Sequence, residues 1–290
     1  YIQGDLYSKE VQDKIYKELE NNNIDDLDVL IATPPCQGMS VANHKKNDNE
    51  IKRNSLVVES IKIVKEIKPK FFIFENVRAF LNTFCTDIDN QDKPIQETIN
   101  LNLCGNYNIL FKVINFKDYG SQSSRTRTLV IGVRKDLINI SPEQLFPKEQ
   151  NAKTLRKLIS DLEPLKNMGE ICKNDIYHSF RNFDTKMLAW IENIKEGQSA
   201  FDNIEKERIP HKIENGKIVF NKNKNGDKYS RCYWDKIAPC VHTRNDILAS
   251  QNTVHPSDNR VFSIRELMLM MTIPNDFKWS NKKLETLNNI

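Results

Sequence analysis

The sequence predicts an α/β fold with a mostly parallel sheet, because helical and strand patterns alternate along its first part. A helical periodicity over residues 8–19 is followed by an apolar run at 27–32 that is typical of a buried strand. The order repeats with a helical pattern at 55–67 and an all-apolar run at 71–74. Short apolar runs that alternate with helices indicate parallel strands covered by those helices.

Two further strands are predicted at 109–114 and 129–133, on either side of a polar turn centred on Tyr119 and Gly120. This arrangement indicates a hairpin that closes the sheet. We therefore expect the α/β part to end at residue 134.

The pattern changes after residue 134, where the periodicity weakens and turn signals such as Asn215-Gly216 appear. Near the other end, Ser263 and Glu266 form a capping box that predicts the start of a helix. The predicted organisation is a catalytic domain at 1–134, a smaller inserted domain at 135–236 and a segment at 237–290 that returns to the first domain.

The composition of the 290-residue chain is that of a globular protein, with 39% hydrophobic and 28% charged residues. This balance excludes collagen-like, low-complexity and wholly disordered chains. No apolar run approaches the roughly 20 residues that a membrane helix needs, and no charged-then-apolar leader opens the sequence. We therefore predict a cytoplasmic protein.

The six cysteines are spread without CxxC pairs, which favours free thiols over a disulfide framework. The set of Cys232, Cys240, His242 and His255 matches none of the common zinc spacings. We therefore predict no metal site.

The chain carries 43 Lys+Arg against 39 Asp+Glu, a net charge of +4. Residues 205–236 alone hold nine basic and five acidic residues, an excess equal to that of the whole chain. A solvated, loop-rich surface and a nucleic-acid contact explain this charge about equally well. The charge by itself leaves both alternatives open.

Cys36 follows two prolines directly after the strand predicted at 27–32. Sites form at the ends of parallel strands, and the prolines restrict the backbone just before the sulfur. A nucleophile needs such rigid presentation, but Pro-Pro-Cys alone fits a buried structural cysteine better. Cys36 is a candidate nucleophile only if other residues support it.

Two further groups of polar residues border predicted strands. Glu75 ends the strand at 71–74, where desolvation would favour a protonated carboxyl able to donate a proton or a hydrogen bond. A glutamate that caps the next helix is the structural alternative. Arg125 and Arg127 alternate on an extended segment and share one face, which suits a grip on a polar ligand, although an edge-strand salt bridge is equally ordinary.

Together these residues resemble the DNA (cytosine-5) methyltransferases, because several of the family's motifs occur here in order. The resemblance runs from Gly4 to Phe277, and 136–230 corresponds to the variable target-recognition domain by position only. The segments similar to family motifs are Gly4-Asp5, Pro35-Cys36-Gln37, Arg53 with Leu56, Glu75-Asn76-Val77, Arg125-x-Arg127, Arg231 to Trp234, His255-Pro256, Arg260, Arg265-Glu266 and Pro274 to Phe277.

The resemblance implies an S-adenosylmethionine-dependent methyltransferase fold and methylation of cytosine C5 in double-stranded DNA, as the modification part of a restriction-modification system. Cys36 would add to C6 of a flipped-out cytosine, Glu75 would hold N3, and Arg125 and Arg127 would hold O2. The residues implied in cofactor binding are Asp5, Leu6, Pro35 and Leu56. Those implied in DNA binding are Gln37, Ser40, Lys222, Lys224, Lys228, Arg231 and Arg260.

The sequence departs from the family pattern at both ends. It begins at the acidic motif Gly4-Asp5, so the family's opening Phe-x-Gly-x-Gly segment is missing, and the closing Gly-Asn-Ser motif is missing after Ile290. Both motifs line the family's cofactor pocket. We therefore expect that the chain does not methylate alone and that a second polypeptide or a missing N-terminal segment completes the cofactor site.

Two alternatives to this function stay open at the level of sequence. The first is a tRNA cytosine-5 methyltransferase of the same architecture, against which the absence of a Cys-Phe-Thr motif counts. The second is a non-catalytic DNA-binding subunit with an incomplete cofactor site, against which the intact set of Cys36, Glu75 and Arg127 counts.

Overall fold

The computed structural model describes residues 1–35, 54, 56–223, 226–277 and 279. The chain divides into two compact units, and the boundary is crossed more than once. The first unit consists of Tyr1–Asn115 and Thr126–Lys148. The second consists of Phe116–Arg125 and the described residues from Glu149 onward.

The first unit is built on a central four-stranded sheet. Its helices are α1 (Lys9–Asn21), α2 (Leu56–Ile67) and α3 (Ile95–Leu103), and its strands are β1 (Val29–Ala32), β2 (Phe71–Asn76), β3 (Phe84–Thr86), β4 (Asp92–Pro94), β5 (Tyr107–Asn115) and β6 (Thr126–Arg134). The strand order in the sheet is β1-β2-β6-β5. Strands β1 and β2 pair in parallel, whereas β6 pairs antiparallel with both β2 and β5. Strands β3 and β4 form a separate hairpin.

The core of the first unit lies between α2 and one face of the sheet. Apolar residues on one side of α2, such as Val57 and Ile61, are fully buried in the same cluster as Phe72 and Phe74 of β2. Gly132 of β6 lies opposite Phe72 in the register, and the Phe72 ring occupies the space that a Cβ at this position would need. The absence of a side chain at Gly132 therefore lets an aromatic ring pack directly on the sheet.

The second unit has little regular structure and is held together by several small clusters and isolated β-bridges. Its helices are α4 (Leu155–Ile159), α5 (Leu188–Ile191) and α6 (Ile264–Met270), and its strands β7 (Ile171–Cys172), β8 (Asp175–Ser179), β9 (His211–Glu214) and β10 (Lys217–Phe220) form two hairpins. The capping box predicted from Ser263 and Glu266 is present at the start of α6 and is confirmed.

The α/β class and the predicted β5–β6 hairpin are confirmed, but the described sheet is mixed rather than mostly parallel. The reason is that the hairpin enters the sheet through β6, antiparallel to β2. The units also differ from the predicted domains at 1–134, 135–236 and 237–290. Residues 135–148 lie in the first unit, and those from 237 onward share the second unit with 149–236. Bridges such as Thr154 to Ile237 and Arg231 to Val254 connect these two stretches.

Within the described residues, no helix is long and apolar enough to cross a membrane. The same residues contain no group of three or more His, Cys, Asp or Glu side chains that could hold a metal ion. Cys232 is buried, its Sγ donates to the carbonyl oxygen of Asn252 at 3.3 Å, and burial raises the pKa of its thiol to about 12.

Candidate functional site

A pocket of about 610 Å³ lies in the first unit, beside the carboxyl end of β1. All four residues that the sequence implies in cofactor binding line it, namely Asp5, Leu6, Pro35 and Leu56. They come from three separate stretches of the chain, so the fold gathers residues that the sequence only proposed individually. The remaining lining residues are Gly4, Ile31, Ala32, Thr33, Pro34 and Ser60.

The wall of this pocket combines apolar side chains with a few polar groups. Ile31 and Leu56 supply apolar surface, and the Asp5 carboxylate lies at the turn that leads into α1. That turn is fixed because the backbone N–H of Tyr7 donates to Asp5 Oδ1 at 3.0 Å and that of Ser8 donates to the Asp5 carbonyl at 2.9 Å. An apolar wall with an adjacent carboxylate suits a ligand that carries both a flat apolar part and hydrogen-bond donors.

Glu75 and Arg127 meet in the first unit, where β2 ends and β6 begins. Arg127 Nε lies 3.0 Å from Glu75 Oε1, and the two side chains are 18% and 29% exposed respectively. Arg127 also donates through Nη1 to the carbonyl oxygen of Thr126 at 2.8 Å. The carboxyl is therefore ion-paired and partly open to solvent, not the isolated, desolvated group that the sequence predicts. An ion pair at this depth can present both a carboxylate and a guanidinium to one planar polar ligand.

Asn76, the last residue of β2, connects this ion pair to the end of β1. Its side chain is buried, and Nδ2 donates to the carbonyl oxygen of Pro34 at 2.8 Å while Oδ1 accepts from the N–H of Val77 at 2.9 Å. Thr128 of β6, also buried, donates through Oγ1 to the carbonyl oxygen of Val77 at 3.1 Å. From the sequence, Asn76 was identified only as a member of the Glu75-Asn76-Val77 motif and Thr128 was not identified, although a polar side chain at an inward position of an apolar strand is a signal for a role.

Arg125 and Arg127 belong to different units, Arg125 to the second and Arg127 to the first. The Nη1 atom of Arg125 lies 3.5 Å from Cys240 Sγ, and its carbonyl oxygen accepts from the N–H of Phe116 at 3.0 Å. The predicted pair is therefore divided at the boundary between Arg125 and Thr126. Four of the predicted site residues, Cys36, Gln37, Ser40 and Lys224, lie outside the described residues, as does Arg53.

The family model for C-5 cytosine-specific DNA methylases matches residues 5–290 of the chain. The chain belongs to this family. Its members use S-adenosylmethionine as the methyl donor, and the pocket at the end of β1 fits such a group in its mixture of apolar wall and carboxylate.

The relatives of this methylase include enzymes named as type II methyltransferases. It is 31% identical over 297 residues to M1.HgaI of Avibacterium volantium, in an alignment that covers 95% of this chain and 76% of that protein. It is also 31% identical over 274 residues to M1.HphI of Haemophilus parahaemolyticus, covering 92% of this chain. The methylase spans less than two thirds of the length of M1.HphI (64%) and of M.XorII from Xanthomonas oryzae (62%).

Solved structures confirm the methyltransferase fold of this methylase. A protein described as a DNA modification methyltransferase encoded within an E. coli prophage aligns with a TM-score of 0.63 at 20% identity, over 99% of this chain and 80% of that one. A DNMT2 variant from Spodoptera frugiperda aligns with a TM-score of 0.53 at 14% identity, over 94% and 76%. At these identities the likeness concerns the fold alone, and the family match favours DNA methylation over the tRNA and non-catalytic alternatives.

The four described residues predicted to bind DNA fall into two classes in the methylase. Lys222 is exposed and Lys228 is half-buried, so both stay candidates. Arg231 and Arg260 are only 5% and 2% exposed. Arg231 donates to the carbonyl oxygens of Ile194, Ile191, His255 and Asp258 and to Asn259 Oδ1, at distances between 2.7 and 2.9 Å.

Burial therefore argues against the DNA contacts predicted for these two arginines. A guanidinium whose donors are all directed at interior oxygen atoms has none left for a phosphate. Arg260 is held in the same way by Glu266, with Nη1 to Oε2 at 2.8 Å and Nη2 to Oε1 at 2.9 Å. We assign both arginines a structural role, in which they tie together loops of the second unit.

His255 lies beside this buried pair and should make the stability of the methylase depend on pH. Burial lowers its pKa from 6.5 to about 4, against the opposing charge of Glu266. Between these values the unfolded chain binds a proton that the folded chain excludes, so the contribution of His255 to stability should be constant above about pH 6.5 and fall as the pH drops towards 4. Urea unfolding midpoints at about pH 7, 6 and 5 measure this loss.

A His255→Gln variant is the control for that titration. It removes the titrating group and should flatten the dependence between pH 7 and 5, even if the variant is less stable overall. An equally steep loss in the variant would assign the dependence to another group.

Proposed function

We propose that this methylase transfers a methyl group from S-adenosylmethionine to C5 of cytosine in double-stranded DNA, as the modification part of a restriction-modification system. The observation that carries the proposal is the pairing of Glu75 with Arg127 in the same unit as the pocket that gathers the implied cofactor residues. A DNA substrate agrees with the cytoplasmic location expected from the sequence.

In this mechanism, the chain's own residues make an electron-poor ring able to accept a methyl group. The thiolate of Cys36 adds to C6 of the cytosine, which makes C5 nucleophilic. Glu75 hydrogen-bonds N3 and Arg127 holds O2, so that the charge which develops during the attack meets preorganised groups. S-adenosylmethionine supplies the methyl group, after which loss of the C5 proton and of the thiolate restores the aromatic ring.

The target base has to leave the duplex for this attack, because C6 is inaccessible within stacked base pairs. Gln37 and Ser40 are the proposed DNA contacts beside the nucleophile, and Arg125 the second arginine at the base. Asn76 acts as a positioning residue, because its bond to the Pro34 carbonyl fixes the backbone two positions before Cys36. The cofactor is proposed to bind at Asp5, Leu6, Pro35 and Leu56, with the Asp5 carboxylate as the hydrogen-bond acceptor.

We further propose that an additional strand, supplied by another segment or a second polypeptide, pairs with β1 and completes the cofactor site. Within the described sheet β1 is an edge strand, and its Val29 and Ile31 are 45% and 65% exposed. A groove of about 340 Å³ follows this edge between α1 and α2. Helix α1 buries none of its residues fully, although Ile15 and Leu19 line the groove. Unpaired edges with apolar surroundings favour strand addition.

The test traps the proposed covalent step. A duplex pool that carries 5-fluorocytosine is incubated with the chain and S-adenosylmethionine, with and without a polypeptide that supplies the family's opening segment. We expect an adduct that requires the added segment and is lost in Cys36→Ala, because fluorine at C5 prevents release of the enzyme. No adduct on DNA with the site completed would contradict the cytosine-methylation proposal.

Two further measurements separate completion of the site from the chemistry. Val29→Lys places a charge in the groove and should abolish stimulation by the added segment, whereas Ile138→Lys, at a residue that is 86% exposed, should not. Calorimetric titration of S-adenosylmethionine into the chain alone should show weak binding. Micromolar binding without the added segment would contradict the need for completion while leaving the methylation proposal intact.

A further inference from the structure

The hairpin formed by β9 and β10 is exposed along almost its whole length. Asn215 and Gly216 join its strands, both with positive φ (51° and 74°), which is typical of a tight two-residue hairpin turn. Ile213 and Ile218 face each other across the strands and are 70% and 41% exposed. Because an isolated two-stranded hairpin is at best marginally stable in water, this one gains from a partner.

The base of the hairpin is attached to the second unit. The His211 ring centroid lies 5.6 Å from that of Trp190, which is buried in the largest cluster of this unit. The N–H of Asn221 donates to the Pro210 carbonyl oxygen at 2.9 Å and closes the base. The base of the hairpin is therefore fixed to the second unit, while the residues towards the turn are exposed.

The two faces of the hairpin differ in chemistry, because residues paired across antiparallel strands share a face. One face carries His211, Phe220 and the two isoleucines, and its base contacts Trp190. The opposite face, here called the outer face, carries Lys212 beside Val219 and Glu214 beside Lys217. All four residues of the outer face are exposed.

The outer face has the side chains that distinguish base pairs in a major groove. Lysine donates to the O6 and N7 atoms of guanine, glutamate accepts from the N4 amino group of cytosine, and an apolar side chain contacts the methyl group of thymine. The groove is about 12 Å wide and admits a two-stranded ribbon, whose strands are about 4.8 Å apart. The dimensions and the chemistry of the hairpin therefore match those of the groove.

The charges of the outer face are also available to a ligand. Among the described residues, none of the ion pairs involves Lys212, Glu214 or Lys217. Two arginines of the same unit are engaged, since Arg208 pairs with Glu192 and Glu205, and Arg156 pairs with Asp235.

We propose that this hairpin enters the major groove of duplex DNA and that Lys212, Glu214, Lys217 and Val219 read base pairs of the target sequence. The inference rests on the proposed function, since it identifies the element that recognises the DNA substrate. It also explains why this exposed hairpin has charged residues of both signs on one face, while the aromatic residues of its other face attach it to the second unit.

The experiment is a binding selection from a pool of duplexes with randomised base pairs around a cytosine, followed by sequencing. It compares the wild type with Glu214→Gln and Lys217→Ala. The matched control is Lys173→Ala, because Lys173 is exposed in the turn of the other hairpin, β7–β8. We expect each hairpin variant to relax the preference at one or two base pairs by about fivefold to a hundredfold, with the control motif unchanged.

Circular dichroism shows whether each variant keeps the wild-type fold, which these exposed positions should allow. If both hairpin variants select the same motif as the wild type, with the same preference at every base pair, the hairpin inference is overturned and the methylation proposal stands. A wild type that selects no sequence and forms no 5-fluorocytosine adduct would overturn the proposed function, and the inference with it.

Discussion

Replacing Arg260 by leucine should lower the free energy of unfolding of the second unit by about 3–5 kcal/mol, because it strands the Glu266 carboxylate in the interior. Glu266 is 1% exposed and receives both guanidinium Nη atoms of Arg260, which itself is 2% exposed. Burying a single charge without a partner costs far more than replacing a pair by apolar groups. Urea denaturation at about pH 7 measures the change.

The exposed bidentate pair of Arg156 and Asp235 provides the matched control. Its nitrogen–oxygen distances are 2.7 and 2.9 Å, close to those of the buried pair, but both side chains are more than half exposed. Arg156→Leu should therefore leave the unfolding midpoint almost unchanged. The double variant Arg260→Leu/Glu266→Leu should recover part of the loss. If Arg260→Leu were as harmless as Arg156→Leu, the buried pair would not hold the second unit together.

Gly132→Ala should destabilise the first unit by about 1–3 kcal/mol through overpacking, an unusually large effect for one added methyl group. A Cβ at this position would lie 1.9 Å from Cε1 of Phe72 and within 2.5 Å of two further ring atoms. The Phe72 ring has little freedom to move, because the ring centroids of Phe74 and Tyr107 each lie 5.0 Å from its own centroid. Thermal or urea unfolding of the variant measures the effect.

Gly105→Ala is the natural comparison for this prediction. It adds the same atom at a glycine where nothing lies within 4 Å of the new Cβ. We expect no loss of stability there, and similar losses at both positions would refute steric overlap as the cause.

Most of the secondary structure of the first unit could be predicted because local patterns determine it, although helix α3 and the β3–β4 hairpin were not predicted. The helices and strands that were predicted are present in the structure, with small differences at their ends. Strand β2, for example, continues two residues beyond the apolar run, through Glu75 and Asn76. Periodicity does not detect that extension, since both residues are polar. Their pairing with Leu129 and Thr128 across the sheet keeps them in the strand.

The division into units could not be predicted, because it depends on contacts between distant segments. In sequence, Phe116–Arg125 has the composition of an ordinary polar turn between two apolar strands, which does not indicate that it belongs to another unit. It lies in the second unit through pairings such as the N–H of Ser124 with the Ala238 carbonyl oxygen at 2.9 Å. No pattern within the segment itself encodes such a partner.

The candidate site shows the same contrast between local and distant information. Asp5, Leu6, Pro35 and Leu56 gather around one pocket as the family motifs imply. The motif resemblance, in contrast, gave Arg231 and Arg260 a DNA contact that their burial argues against, because a basic residue looks identical in sequence whether it meets phosphate or buried oxygen atoms. The exposure of the β9–β10 hairpin was equally invisible, although the sequence did indicate its Asn215-Gly216 turn.

The crossing of the chain between units limits how recognition could be transplanted among relatives. The chain leaves the first unit after Asn115, returns after Arg125 and leaves again after Lys148. A chimera that exchanged only the residues from 149 onward would therefore keep the host's Phe116–Arg125 loop in an otherwise foreign second unit. It would lose bonds such as that from the Lys153 N–H to Gln122 Oε1 at 2.7 Å. If the second unit carries the proposed recognition hairpin, exchanging it whole requires a two-segment graft, with one splice between Arg125 and Thr126.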